Sequence, residues 1–159
     1  MKKASITFLQ GVVVLIGAVA LILLIRFPML EGRAQNLDIV SIYMDPLILY
    51  GYAASIAFFV ALYKAFRLLG YIGQNKLFTS TSIKTLTSIR YCAIVLSIMI
   101  VLAGIYIRIF HHKDDDPAGA IAMCIVVTFI CLVVATAVAV LEKVLQNAID
   151  MKSENDLTI

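Results

Sequence analysis

The hydrophobic positions of this chain fall into four long and nearly unbroken runs, at residues 6–25, 47–63, 91–107 and 118–141. Within these runs the residues do not alternate between polar and apolar, as the strands of a membrane barrel would. A run of about 20 helical residues, at about 1.5 Å each, crosses a hydrocarbon core of about 30 Å. Because unpaired backbone groups are too costly in lipid, the pattern predicts four membrane-spanning α-helices.

Capping residues and periodicity refine where these helices begin and end. Asp45 and Asp116 each precede a proline, a combination that favours a helix start. After residue 141 the apolar residues recur at the spacing of one helix face. The residues of this face are Leu141, Val144, Leu145, Ala148 and Ile149. The fourth helix is therefore expected to continue beyond the lipid.

The predicted fold is all-α: an integral membrane four-helix bundle with a cytoplasmic amphipathic loop helix and a helical C-terminal stalk. The transmembrane helices are predicted at about 6–25, 47–69, 83–109 and 118–141, the helical extension at 142–151 and the C-terminal tail at 152–159. Residues 1–159 are expected to form a single membrane domain.

The composition agrees with this class of protein. Hydrophobic residues make up 62% of the chain and charged residues 14%, against about 45–50% and about 25% in soluble domains. The four apolar runs contain no Asp, Glu, Lys, Arg or His. This disfavours a small channel or transporter, because proton and ion pathways generally place ionisable groups at that depth. The three cysteines also lie in the apolar runs, so no disulfide framework is expected.

Lys and Arg are unevenly distributed between the two ends of the predicted bundle. With four spans, both termini lie on the same side as the loop between the second and third helices. That side has nine basic residues, namely Lys2, Lys3, Lys64, Arg67, Lys76, Lys84, Arg90, Lys143 and Lys152. The other side has four, namely Arg26, Arg33, Arg108 and Lys113. The positive-inside rule therefore predicts cytoplasmic N- and C-termini.

The middle loop has more structure-forming signals than a simple connector needs. Thr79 suits an N-cap, and Phe78 before it is placed to pack on Ile83 in a hydrophobic staple. A helix of two or three turns is predicted from here into the third span. Two interpretations remain open: Lys84 and Arg90 hold lipid phosphates at the headgroups, or the segment is a docking surface for a cytoplasmic protein.

The C-terminal tail is the second candidate for partner binding. It is acidic and then ends in large aliphatic residues, whereas the middle loop on the same side is basic. The helical stalk that carries this tail and the middle loop are expected to form one cytoplasmic platform. The predicted partner-binding residues are Phe78, Thr79, Ile83, Lys84, Arg90, Glu154, Asp156, Leu157 and Ile159.

Catalytic and metal-binding signatures are weak in this sequence. His111, His112 and Asp114 are weak metal candidates, but adjacent histidines rarely converge on one ion and a solvated turn is favoured. We find no nucleophile with a base partner and no glycine-rich phosphate loop. The basic loop is too short for a DNA-binding domain. We therefore expect no enzyme activity, no cofactor and no direct nucleic-acid binding.

Two motifs carry a resemblance to a known family. The inner loop reads AFRLLGYIGQNKLFT followed by STSIKTLTSIR, and the chain ends SENDLTI. Over nearly its whole length the chain resembles a family of small bacterial four-helix membrane proteins classed as a domain of unknown function. Members are often encoded beside a small helix-turn-helix regulator of the Cro/repressor type. The resemblance implies a bacterial cytoplasmic (inner) membrane and a functional link to such a regulator.

The leading hypothesis is a non-enzymatic membrane sensor or anchor that binds and controls this regulator. The alternative is an immunity or envelope-stress protein that protects against membrane-active peptides, for which the outer segment 26–45 would be the contact surface. Small residues at four-residue spacing, such as Gly51 and Ser55, permit close helix packing within the bundle or between copies. On that basis self-association into a homo-oligomer is predicted.

Overall fold

A computed structural model describes residues 2–30, 43–110 and 116–156. Within this part the chain forms four helices: α1 (Lys2–Leu30), α2 (Pro46–Gly73), α3 (Ser80–Phe110) and α4 (Ala118–Asp156). All four are long and apolar enough to cross a membrane. The prediction of an all-α, four-helix bundle is confirmed.

The helices pack mainly on their neighbours in the sequence. α1 contacts α2, α2 contacts α3, and α3 packs most extensively on α4. No other pair of helices packs extensively within the described ranges. The bundle is therefore an open row, in which α1 and α4 are the two edges and most large apolar side chains remain exposed to the surroundings.

The capping residues that precede α2 and α4 were predicted correctly. The Asp45 carboxylate accepts a hydrogen bond from the Leu47 backbone N–H at 2.8 Å, and Pro46 is the first residue of α2. The Asp116 carboxylate accepts a bond from the Ala118 N–H at 3.0 Å in the same way. Both carboxylates satisfy N–H groups that the first helical turn leaves without partners.

At the opposite end, called the inner end from its expected orientation, the helices are longer than predicted. α2 continues to Gly73 and α3 already begins at Ser80, so the connection is short. The predicted loop helix is therefore the first part of α3 and not a separate element. α4 continues to Asp156, beyond the predicted end of the stalk at residue 151.

A compact turn joins α2 to α3. Asn75 has a φ of 56°, in the left-handed region. Its N–H donates to the Ile72 carbonyl, and the Lys76 N–H donates to the Tyr71 carbonyl at 2.9 Å. These two bonds make the Schellman arrangement, which satisfies the last carbonyl groups of a helix. Ser82, with no exposed surface, holds the other side of the turn by donating its hydroxyl to the Lys76 carbonyl at 3.1 Å.

The outer part of α1 contains Pro28, which lacks an N–H and leaves the Leu24 carbonyl without its helical partner. The Tyr52 hydroxyl on α2 donates to this carbonyl at 3.3 Å. In lipid a proline inside a helix is tolerated where a neighbouring group replaces the lost bond.

α1 also approaches α2 closely at Gly17, where an added Cβ would lie 2.9 Å from Leu62 Cδ2.

Candidate functional site

The inner ends of α3 and α4 form the most buried part of the described chain. We call this region the inner platform and define it as residues 80–93 of α3 with residues 142–156 of α4. Its buried residues are Ser82, Thr85, Leu86, Ile89, Ala93 and Leu145. Because Leu145 belongs to the predicted stalk, the stalk packs on α3. The stalk and the first part of α3 thus form one structural unit, and the location of this unit in the cytoplasm stays a prediction.

The many Ser and Thr residues of α3 satisfy their own hydroxyl groups. Thr85 donates to the Thr81 carbonyl at 2.8 Å, and Ser88 donates to the Lys84 carbonyl at 2.9 Å. These bonds return to the preceding turn of the same helix. Small side chains without unsatisfied polar groups let α4 approach α3 closely. The composition of this stretch therefore has a packing role.

An ion pair joins the two helices of the inner platform. Arg90 Nη1 on α3 lies 3.0 Å from Glu142 Oε2 on α4, and the two side chains are 29% and 18% exposed. Oε2 has no partner with hydrogen-bond geometry in the described structure, so this contact is electrostatic. The second carboxylate oxygen, Oε1, lies 2.6 Å from the Thr87 hydroxyl.

The Thr87 hydroxyl has a single proton and two acceptors within reach. It lies 3.0 Å from the Ile83 carbonyl and 2.6 Å from Glu142 Oε1. The shorter contact with a charged oxygen is the stronger hydrogen bond. We therefore infer that the Thr87 hydroxyl donates its hydrogen bond to the Glu142 carboxylate. Glu142 is then held by both Arg90 and Thr87, and the three side chains fix the position of α4 along α3.

The predicted partner-binding residues of the middle loop lie at the start of α3. Thr79 directly precedes the helix, as predicted, but its hydroxyl turns back to donate to the Lys76 carbonyl at 2.9 Å. Phe78 is 56% exposed, Lys84 is exposed and Ile83 is half-buried. More than half of the Phe78 surface is therefore free to contact another molecule.

The other predicted site residues lie near or beyond the end of α4. Glu154 is exposed in its last turns, and Asp156 ends the helix. Leu157 and Ile159 lie outside the described residues, as do the weak metal candidates His111, His112 and Asp114. The described residues contain no group of three His, Cys, Asp or Glu side chains that could hold a metal ion.

Two features of the inner platform were missed from the sequence. The first is that Glu142 is the partner of Arg90. Glu142 directly follows the fourth apolar run and Arg90 directly precedes the third, so their positions at the same membrane boundary could have indicated this pair. The sequence pattern also does not show which part of the apolar face of the stalk is covered. In the structure Leu145 on this face is buried, whereas Leu141 and Val144 are 56% and 60% exposed.

Comparisons with known proteins identify a family and a relative that matches over its full length. No solved structure shows significant similarity to the chain. The chain is 40% identical over 161 residues to the uncharacterized membrane protein YoaS of Bacillus subtilis (strain 168), with complete coverage of both proteins. Residues 29–159 match the family described as protein of unknown function (DUF2975). The match and the full-length relative show that this chain belongs to the DUF2975 family of membrane proteins.

Proposed function

We propose that this protein is a non-enzymatic sensor or anchor of the bacterial inner membrane that binds and controls a small cytoplasmic helix-turn-helix transcription regulator through its inner platform. The observation that carries the proposal is the length over which α3 and α4 remain helical and packed together at the inner end. Connections between bundled helices need only about 2–8 residues. Here α3 and α4 instead extend together and bury side chains along 82–93 and at Leu145.

Exposed apolar residues on the inner platform, and in the turn directly before it, support a protein contact. Phe78, Val144 and Met151 are each more than half exposed. The contact between Thr87 and Glu142 makes α3 and α4 antiparallel neighbours, so Phe78, two residues before α3, and Met151, near the end of α4, both lie at the inner end. Apolar side chains that are exposed together on an ordered surface are typical of interaction sites. Lys76 and Lys84, both exposed at the same end, favour a partner whose apolar patch has acidic residues around it.

The expected orientation gives this surface access to the cytoplasm. Nine Lys and Arg residues lie on the side of the termini and the middle loop, and four lie on the other. Such an excess orients a multi-pass protein with the basic side inward. A cytoplasmic regulator would then meet the inner platform directly.

Control of the regulator would follow from a change in helix packing. Since the helices form an open row, α1 and α2 can shift against α3 and α4 without breaking a closed core. A few kcal/mol between two such arrangements is enough for a switch. The short turn at 74–79 joins α2 directly to α3, so a movement of α2 would be transmitted to Phe78.

The proposal predicts that a small helix-turn-helix regulator is encoded beside the gene, and it is tested by binding of that regulator. The full-length protein is reconstituted in nanodiscs, and the dissociation constant for the purified regulator is measured. The double variant Phe78→Ser/Met151→Ser is expected to bind at least about tenfold more weakly, because apolar residues central to an interface carry most of its affinity. Deletion of residues 153–159 is expected to weaken binding as well.

Met44→Ser is the matched control, because Met44 is 70% exposed at the outer end of the bundle. It should leave the affinity unchanged. Failure of the unaltered protein to bind the regulator, or equal affinities for the double variant and Met44→Ser, would contradict the proposal. If the deletion leaves the affinity unchanged, the tail residues are not part of the binding site.

A further inference from the structure

Arg67 is held in a fixed position near the inner end of α2. Its guanidinium carbon lies 5.9 Å from the centre of the Tyr63 ring and 5.6 Å from the centre of the Tyr71 ring. Its Nη2 atom also donates to the Tyr71 hydroxyl at 2.7 Å. The tyrosines one turn before and one turn after thus hold the cation between two rings.

The charge of Arg67 has no carboxylate partner among the described residues, and its side chain is exposed. Arg90 differs in this respect, because Glu142 neutralises it at 3.0 Å. A guanidinium group has five N–H donors, and Tyr71 uses one of those on Arg67. The remaining donors can bind an external anion, and a phosphate group matches their planar geometry.

An apolar groove of about 330 Å³ lies beside this arginine, between α1 and α2. Its lining residues are Val13, Val14, Phe59, Leu62, Tyr63 and Phe66. Tyr63 belongs to both the groove and the arginine clamp, so the two features are continuous. The groove extends from Arg67 toward the middle of the membrane, since Phe59 and Leu62 precede Arg67 on the helix.

The depth of these features matches a phospholipid in the bilayer. At about 1.5 Å per residue, the stretch of α2 from Pro46 to Arg67 is about 30 Å long, close to the thickness of the hydrocarbon core. Arg67 therefore lies at the level of the headgroups and the groove at the level of the acyl chains. Tyrosine is enriched at this boundary because its ring is apolar and its hydroxyl is polar.

We infer that this site binds an anionic phospholipid, with its headgroup phosphate on Arg67 and part of an acyl chain in the groove between α1 and α2. Basic residues between transmembrane helices are a recurrent way of binding acidic headgroups. The expected orientation puts the site in the inner leaflet. Lipid binding here does not require the proposed regulator, and it would give the membrane a direct contact with α2, the helix that leads into the inner platform.

Native mass spectrometry of the full-length protein in detergent micelles tests the site. The unaltered protein is expected to retain phosphatidylglycerol in preference to phosphatidylcholine. Arg67→Gln should lower the retained phosphatidylglycerol about fivefold, the effect of about 1 kcal/mol per basic residue at a lipid surface. Lys76→Gln is the matched control, because Lys76 is an exposed basic residue of the adjacent turn and its loss changes the net charge equally. It should have little effect.

A second pair of variants tests the groove. Val14→Trp places a large ring in it and should also reduce phosphatidylglycerol retention, whereas Val19→Trp on the same helix lies outside the groove and should not. Equal retention of the two lipids by the unaltered protein would overturn the inference, as would equal losses in Arg67→Gln and Lys76→Gln. Displacement of the lipid by an equal concentration of glycerol phosphate, with no effect of Val14→Trp, would show a phosphate site and not a phospholipid site.

Discussion

Asn75 carries the backbone conformation that ends α2 and turns the chain toward α3. Its φ of 56° is costly for most residues, because the Cβ atom crowds the backbone in the left-handed region. Asn75→Gly is therefore expected to leave the free energy of unfolding nearly unchanged. Asn75→Val should lower it by about 1–2 kcal/mol. Thermal unfolding in detergent micelles measures both, and equal stabilities for the two variants would show that the turn does not need this conformation.

Glu142 is the residue that connects α4 to α3 electrostatically. Exposed ion pairs contribute up to about 1 kcal/mol, and removing one partner of a buried pair costs about 3–5 kcal/mol. Arg90 and Glu142 are partly buried, so Glu142→Gln is expected to lower the free energy of unfolding by about 1–2 kcal/mol. Denaturant unfolding in micelles gives the value.

The ion pair also makes a prediction for a double variant. Adding Arg90→Gln to Glu142→Gln should cost little more, because the first substitution has already broken the pair. Asp150→Asn, an exposed carboxylate further along α4, is the control and should change stability by less than about 0.5 kcal/mol. Additive losses for Arg90→Gln and Glu142→Gln would mean that the two side chains do not stabilise each other.

The residue-scale features that sequence reasoning missed depend on packing between elements. Asn75 lies in a polar stretch in which several residues could have ended the helix. Its left-handed conformation depends on the position of α3, toward which the chain has to turn. Glu142 meets Arg90 because of the register between α3 and α4, which no local pattern encodes. Thr79 could be placed directly before a helix from sequence, because capping depends on adjacent residues only.

At the scale of elements, Tyr52 and Pro28 act as a pair between α1 and α2. The Tyr52 hydroxyl bonds to the Leu24 carbonyl, which Pro28 leaves without a helical donor. Tyr52→Phe is therefore expected to lower stability by about 1 kcal/mol in the natural chain. In a Pro28→Ala background the loss should be close to zero, because residue 28 can then donate to Leu24 itself.

Tyr50→Phe provides the control for this pair. The Tyr50 hydroxyl donates at 2.9 Å to the Met99 carbonyl on α3, away from α1. Its loss should cost the same with and without Pro28. All variants are compared by thermal unfolding in one detergent. If Tyr52→Phe were equally destabilising in both backgrounds, the hydroxyl would have a role unrelated to the proline.

The starts of α2 and α4 could be predicted because an acidic cap followed by proline is a local signal. The inner ends of the helices could not, because hydropathy falls at Lys64 and rises again only at Tyr91. Between these positions the chain remains helical except for the turn. The reason is contact between helices: Gln10 on α1 donates to the Phe66 carbonyl, and Leu86 and Leu145 are buried together with their neighbours on α3 and α4.

At the scale of the whole molecule, the helices could be counted from the sequence but their arrangement could not. A helix in lipid is apolar on every side, so its composition does not reveal which face meets a neighbour. In the open row, α1 packs extensively only on α2, and α4 only on α3, within the described chain. The opposite side of each of these two helices has no extensive contact with another described helix. These faces are available to lipid or to a second copy, and the predicted self-association remains a prediction.

The orientation of the row is the prediction on which the cytoplasmic role of the inner platform depends. The native cysteines are half-buried in the spans, so the unaltered protein gives the background labelling. Single cysteines are introduced as Lys76→Cys and Asn147→Cys at the inner end and Met44→Cys at the outer end, three positions that are exposed. In intact cells a membrane-impermeant maleimide should label Met44→Cys alone, because the excess of Lys and Arg keeps the inner end in the cytoplasm. After permeabilisation all three should react. Labelling of Lys76→Cys or Asn147→Cys in intact cells would place the inner platform outside the cell, where a cytoplasmic regulator could not reach it.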